Sequence, residues 1–170
     1  MREVSKFIRQ AYLSVLEPLE VDGVEIPIYD EIINPNASKA SYLGSECYVI
    51  ITGQNETETT NNRCSFRQSV ALTLQIFSKY PLGSGGKLAT ENIADTILQQ
   101  IRILNAPGVT VGDPFQVLST RKESSQSFIF NGENSSTYQK NLTFSHVIYQ
   151  DPEVIVSSEN TLQATLQFQI

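Results

Sequence analysis

The stretch that most constrains this chain is "SFRQSVALTLQIFSKY", residues 65–80. Phe66, Val70, Leu72, Leu74 and Ile76 share one parity, and Arg67, Ser69, Thr73 and Gln75 share the other. A repeat of two marks a strand with one face in a core and one face wet, because successive side chains of an extended chain point to opposite sides. Such a strand needs a neighbour to pair with and a layer over its apolar face. The rest of the sequence has to supply both.

The neighbour is the apolar run Cys47–Thr52, short enough to be a strand covered on both faces. It is expected to pair antiparallel with residues 66–77 across the polar tract Asn55–Arg63, which reads as a loop longer than a hairpin requires. The covering layer is expected from two helices. Val4, Phe7, Ile8, Ala11, Tyr12, Val15 and Leu16 recur at helical spacing, and Pro18 ends that run. Ala89, Ile93, Ala94, Ile97, Leu98, Ile101 and Leu104 form the stripe of a second helix over residues 87–104, closed by Asn105-Ala-Pro-Gly108. Between helix and strand, Asp22-Gly23 turns the chain into a strand over Val24–Tyr29, and Pro27 marks that strand as an edge or the site of a bulge. Asn34-Pro35-Asn36 is a loop signal. Gly83-Ser-Gly-Gly86 reads as a flexible connector, since it lacks the Lys-Ser/Thr ending of a phosphate cradle.

Three further strands are expected over Phe115–Thr120, Ser127–Phe130 and Tyr138–Tyr149. The segment "TLQATLQFQI" alternates strictly, with Leu162, Ala164, Leu166, Phe168 and Ile170 opposite Gln163, Thr165, Gln167 and Gln169. Residues 151–160 read as a polar linker before it. The fold class that follows is α+β: a mostly antiparallel sheet packed against two amphipathic helices, with a strand-like extension at the C-terminal side. The expected organisation is an α+β domain over residues 1–150 and an extension or arm over 151–170.

The formal charge of −6 and the scattered basic residues argue against a groove that grips nucleic acid, because phosphate neutralisation needs clustered Lys and Arg. Residues 1–20, "MREVSKFIRQAYLSVLEPLE", lack the uninterrupted apolar core of a signal peptide, which leads us to expect a chain made in the cytoplasm. No apolar run approaches bilayer-spanning length. Cys47 and Cys64 flank the polar tract and either pair or stand free; in a chain without an export signal the free-thiol alternative is the stronger.

A search for reactive constellations returns little. His146 is the single histidine and shares parity with Leu142, Phe144 and Ile148, so it is expected on their side of a strand as a satisfied or half-buried residue. Two cysteines without close paired spacing and one histidine do not make a zinc site. Asp30 and Glu31 are adjacent in an extended segment and point apart, so they cannot act together. No catalytic residue, cofactor site or metal site is assigned.

The order of elements, with some of their wording, resembles bacteriophage tail-terminator and tail-completion proteins. The resemblance lies in the amphipathic first helix, then "VEIPIYD", then "CYVIITG", a strand that in those proteins ends in Gly. It continues through "SVALTLQIFSKY", the helix "ENIADTILQQI" and the late strand "YQKNLTFSHVI", and spans residues 2–149. It departs in the tract Asn55–Arg63 and beyond Asp151.

The resemblance implies a structural virion protein, not an enzyme, that forms a homo-oligomeric ring at the neck or head-proximal end of a tail. It implies identical subunits and adjacent connector, adaptor or tail proteins as partners, with DNA passing through the lumen without specific binding and no membrane. Within such a ring the polar tract (Asn55, Glu56, Thr57, Glu58 and Thr59) and the C-terminal segment (Leu162, Leu166 and Phe168) are the expected assembly contacts. Two alternatives stand beside it. One is a small non-viral α+β module that binds by strand addition at a sheet edge. The other is a cone-shaped α+β enzyme with a pocket acid such as Asp95 or Asp30.

Overall fold

The computed structural model describes residues 4–30, 37–62, 65–83, 85–101, 109, 111 and 115–150. The chain runs through a helix α1 (Ser5–Leu16), short strands β1 (Leu19–Val21), β2 (Val24–Ile26), β3 (Ile28–Asp30) and β4 (Ala40–Tyr42), and long strands β5 (Ser45–Asn62) and β6 (Ser65–Pro81). Helix α2 (Lys87–Ile101) and the long strands β7 (Phe115–Asn131) and β8 (Ser135–Gln150) complete it. The six-stranded sheet has the order β3-β5-β6-β8-β7, with β4 also on β5, while β1 and β2 form a separate hairpin. All long-strand pairs are antiparallel; β3 joins β5 in parallel.

The alternation of residues 66–77 places β6 at the centre of the sheet, paired along its whole length to β5 on one side and β8 on the other. Val70, Leu72, Leu74 and Ile76 are fully buried, as are Leu142 and Phe144 opposite them on β8 and Val49 and Ile51 on β5. Both helices cover this one face. Ile8, Tyr12 and Leu16 of α1 and Ile93, Ile97 and Ile101 of α2 close the same core. The other face of the long strands carries no helix and is lined by half-exposed residues, among them Thr73 and Thr143, whose hydroxyls meet at 3.0 Å.

Several expectations change. The tract Asn55–Asn62 is not a loop: β5 continues through it and pairs with β6 to Asn62–Ser65. Gly53 does not end the strand. Its φ of +61° sits at a register shift between Thr52 and Gln54, where glycine admits a left-handed bulge at no side-chain cost. One extra residue there inverts the parity up to the next register shift, between Glu58 and Thr60, so Glu56 lies opposite Val70 on the helix-covered side. The pattern of 47–52 therefore does not extend in phase, and the polar tract looked like a separate element.

The strand expected over Val24–Tyr29 is two strands in different sheets, divided at Pro27, which has no N–H to give a ladder. Phe115–Thr120 and Ser127–Phe130 are the two ends of the single strand β7; its charged middle, Arg121-Lys-Glu123, hid their continuity. The described part of the second helix ends at Ile101. β1 and β4 carry no pattern long enough to announce them. Their turns do: Asp22-Gly23 (φ +50° and +79°) and Leu43-Gly44 (φ +49° and +75°) have the two positive φ angles of a two-residue hairpin turn.

Gly86, expected in a flexible connector, is a packing position. An added Cβ would lie 2.1 Å from Cδ1 and 2.4 Å from Cε1 of Tyr80, so the ring rests on bare backbone. Gly86→Ala must displace that ring and should cost about 1–3 kcal/mol, read as a lowered urea midpoint with unchanged slope. Gly85→Ala, where nothing lies within 4 Å, serves as the silent control.

Candidate assembly surface

The residues singled out for chemistry are tied into structure. His146 is wholly buried between α1 and β7: its Nε2 is 2.8 Å from the Tyr12 hydroxyl and its Nδ1 3.1 Å from the Thr120 hydroxyl. A neutral imidazole donates from one nitrogen and accepts at the other, and each hydroxyl can take either role, so both ring nitrogens are satisfied. Burial pushes the imidazole down to about 4 and pushes the Tyr12 phenol up. Asp30 ends β3, 3.6 Å from Arg9, and Asp95 accepts a 2.7 Å bond from Gln99 on the exposed side of α2. Glu31 lies outside the described residues.

Cys47 is buried and unpaired, and burial raises its thiol; Cys64 lies outside the described residues. Among the described residues no group of three His, Cys, Asp or Glu side chains is placed to hold a metal ion, and no helix is long and apolar enough to cross a membrane.

What the fold leaves open is its edges and its ends. On one side the sheet is closed by the short strands β3 and β4. On the other side stands β7, a 17-residue edge strand about 50 Å long that pairs with β8 and has no outer neighbour among the described residues. An edge of that length offers unpaired N–H and C=O groups to any extended chain. Its first half is guarded: register shifts fall at Val117/Ser119 and Lys122/Ser124, and Arg121, Lys122 and Glu123 lie between or beside them. Bulges and charges are the usual means of spoiling an edge. From Ser125 to Asn131 the strand is regular and uncharged. Here Phe128, Ile129 and Phe130 are exposed, Ile129 at 57% and Phe130 at 54%.

These three residues belong to a larger asymmetry. The exposed large hydrophobic residues are Leu43, Leu82, Leu88, Leu118, Phe128, Ile129 and Phe130. All but Leu118 lie toward the end of the sheet formed by the β4–β5 turn, the loop after β6 and the β7–β8 turn. Tyr48 stacks on Phe77 at 4.9 Å on the helix-free face, and the register continues that row through Gln139 to Phe128, which stacks on Phe130 at 6.5 Å. A groove of about 310 Å³ lined by Gly44, Glu46, Lys79, Tyr80 and Asn134 opens at the same end.

The opposite end holds the polar tract. Asn55, Thr57 and Glu58 are exposed there, while Glu56 is half-buried and accepts a hydrogen bond from the Ser5 hydroxyl at the start of α1. Thr59 lies in β5. Leu162, Leu166 and Phe168 lie outside the described residues. Of the expected contacts, the structure therefore brings Asn55, Thr57 and Glu58 together on a paired strand and gives Glu56 an internal role. Sequence reasoning placed a strand over Ser127–Phe130 without its neighbours; only the sheet order shows that, among the described residues, no strand lies on its outer side.

No family model matches the sequence, nor does any curated protein. The fold is similar to that of a chain in the solved virion of a native gene transfer agent (GTA) particle, at 10% identity and a TM-score of 0.58. The likeness covers 88% of this chain and 99% of that one. At that identity it is a likeness of fold.

Two outcomes follow from these side chains. The unfolded chain takes up a proton on His146 near pH 6.5 that the folded chain refuses until about pH 4. The stabilising contribution is therefore complete above pH 6.5 and is lost as pH falls toward 4, by about 3 kcal/mol. His146→Gln, which cannot titrate, should flatten that part of the stability–pH curve relative to the parent; equal slopes would place the imidazole in contact with water.

Leu43 is the second. It is exposed, yet held at φ +49°, a conformation that costs a branched side chain about 1–2 kcal/mol. Leu43→Asn should raise the thermal midpoint of the isolated subunit while weakening its assembly. A variant that assembles as well as the parent would free Leu43 of any role at this surface.

Proposed function

We propose that this protein is a structural component of a phage-like virion, a subunit of a homo-oligomeric ring at the neck or the head-proximal end of the tail. The observation that carries the reading is the fold likeness to a virion chain, which extends over 99% of that chain and agrees with the element order that resembles tail-terminator proteins. The layout of the subunit supports it. Among the described residues, helices cover one face only, short strands close one lateral edge, the other edge has no outer strand, and the two ends of the sheet differ in polarity. Opposite sides that differ suit head-to-tail contacts, which close into a ring when the rotation between copies divides a full turn.

The ring would join the head or connector to the tail, with the two ends of the subunit meeting different neighbours. The net charge of −6 suits a lumen that DNA crosses without being held. Asn55, Thr57 and Glu58 would then belong to an axial contact at the polar end.

Light scattering and negative-stain electron microscopy of the purified chain test the ring directly. Closed rings of uniform copy number are expected. A monomer at every concentration up to hundreds of micromolar, or an open filament, would overturn the reading. A duplex DNA fragment should show no retardation by the protein at physiological salt.

A further inference from the structure

We propose that the edge of β7 from Ser125 to Asn131 accepts the segment Thr161–Ile170 of a second copy of this chain, which adds to the sheet as a further strand. The inference rests on the ring reading and names the contact that would link one subunit to the next. Its starting point is the edge itself: seven regular, uncharged residues with main-chain groups that lack a strand partner among the described residues, carrying Phe128 and Phe130 on the helix-free face and Ile129 on the other. A bare apolar edge recruits an extended chain, with the main chain supplying affinity and alternate side chains supplying register.

The occupant is argued from the sequence. Thr161–Ile170 carries no charge, so pairing it with Ser125–Asn131 strips water from no ion. Its apolar parity (Leu162, Ala164, Leu166, Phe168, Ile170) would extend the row that already runs from Tyr48 and Phe77 to Phe128 and Phe130. Gln163, Thr165, Gln167 and Gln169 would then face the helix side of the edge, beside Ser125 and Ser127.

Reach decides between a chain's own segment and a neighbour's. Gln150 pairs with Phe115, at the far end of β7 from Asn131, while Ser125 lies opposite Leu142, so about 50 Å separates Gln150 from Asn131 and about 27 Å from Ser125. Residues 151–160 extend to at most about 35 Å. A chain's own segment thus cannot reach Asn131 and turn back antiparallel. It could reach the edge only in parallel, against the antiparallel pairing of every long strand of this sheet, and parallel pairing is the less stable per residue. A second copy can pair antiparallel.

The test is disulfide trapping in the full chain, with Cys64→Ser to clear the background and the buried Cys47 retained. Ser127→Cys is combined in turn with Thr165→Cys, Leu166→Cys and Gln167→Cys, and each pair is oxidised under mild conditions and run on a non-reducing denaturing gel. A ladder of covalent dimers and larger species is expected from at least one pair, and its loss is expected when Phe128→Lys and Phe130→Lys are added. A fast-migrating cross-linked monomer as the sole product would show that the segment folds back on its own subunit and overturn the proposal. So would the absence of cross-links from all three pairs. Light scattering of the same samples separates the two ideas: rings without a ladder sink the strand donation alone, whereas particles no larger than a monomer sink the ring as well.

Discussion

The antiparallel ladder on both sides of β6 is the interaction on which everything else depends. β6 is the strand whose apolar parity meets the apolar parities of both β5 and β8 in register, so that Leu74 lies opposite Ile51 and Leu142. Val70, Leu72, Leu74 and Ile76 are all excluded from water, and full burial of side chains of this size contributes about 1.5–3 kcal/mol each. A slip of one residue in either ladder would turn that entire set to the helix-free face. The Gly53 bulge adds a residue to β5 against β6 and sets Glu56 under the start of α1. Placement of the helices follows from the ladder.

α1 is fixed to the sheet by more than apolar contact. Tyr12 packs against Phe144 and against the edge of the His146 ring, and its hydroxyl bonds that ring across 134 positions of sequence. Polar groups so deeply buried would each cost several kcal/mol if left unpaired. Satisfied by Tyr12 and Thr120, they instead specify where α1, β8 and β7 meet. A comparable bridge holds α2: the Tyr42 hydroxyl of β4 donates to Asp22 in the β1–β2 turn and accepts from Asn92. Short strands that bury little are thereby attached to the main body.

These fixtures make the uncovered surfaces more telling. The protected half of β7 carries two bulges and three charged residues, while its other half carries none of these and exposes three large apolar side chains in sequence. Natural edges are usually spoiled along their whole length. A half-spoiled edge, and a leucine kept at positive φ in an exposed turn at the same end of the sheet, both break local rules. Such departures gather where a surface has work to do with another chain.

Much of this was legible in the residues alone. Period-two stretches announced β6 and β8, and the three-and-four spacing announced both helices, because each of these signals is local and is set by where successive side chains must point. The parity of His146 with Leu142, Phe144 and Ile148 likewise placed it inward before any partner was known. What the sequence could not decide was continuity and neighbourhood. It gave no sign that β5 runs on through a polar tract, since a bulge resets the phase. The joining of two strand fragments through Arg121-Lys-Glu123 was equally hidden, since an edge residue tolerates charge. Above all, the order of strands in the sheet, and with it the place of Phe128, Ile129 and Phe130 on a strand with no outer partner among the described residues, is a property of long-range pairing. Local pattern tells whether a residue is apolar; only the tertiary structure decides whether anything is there to cover it.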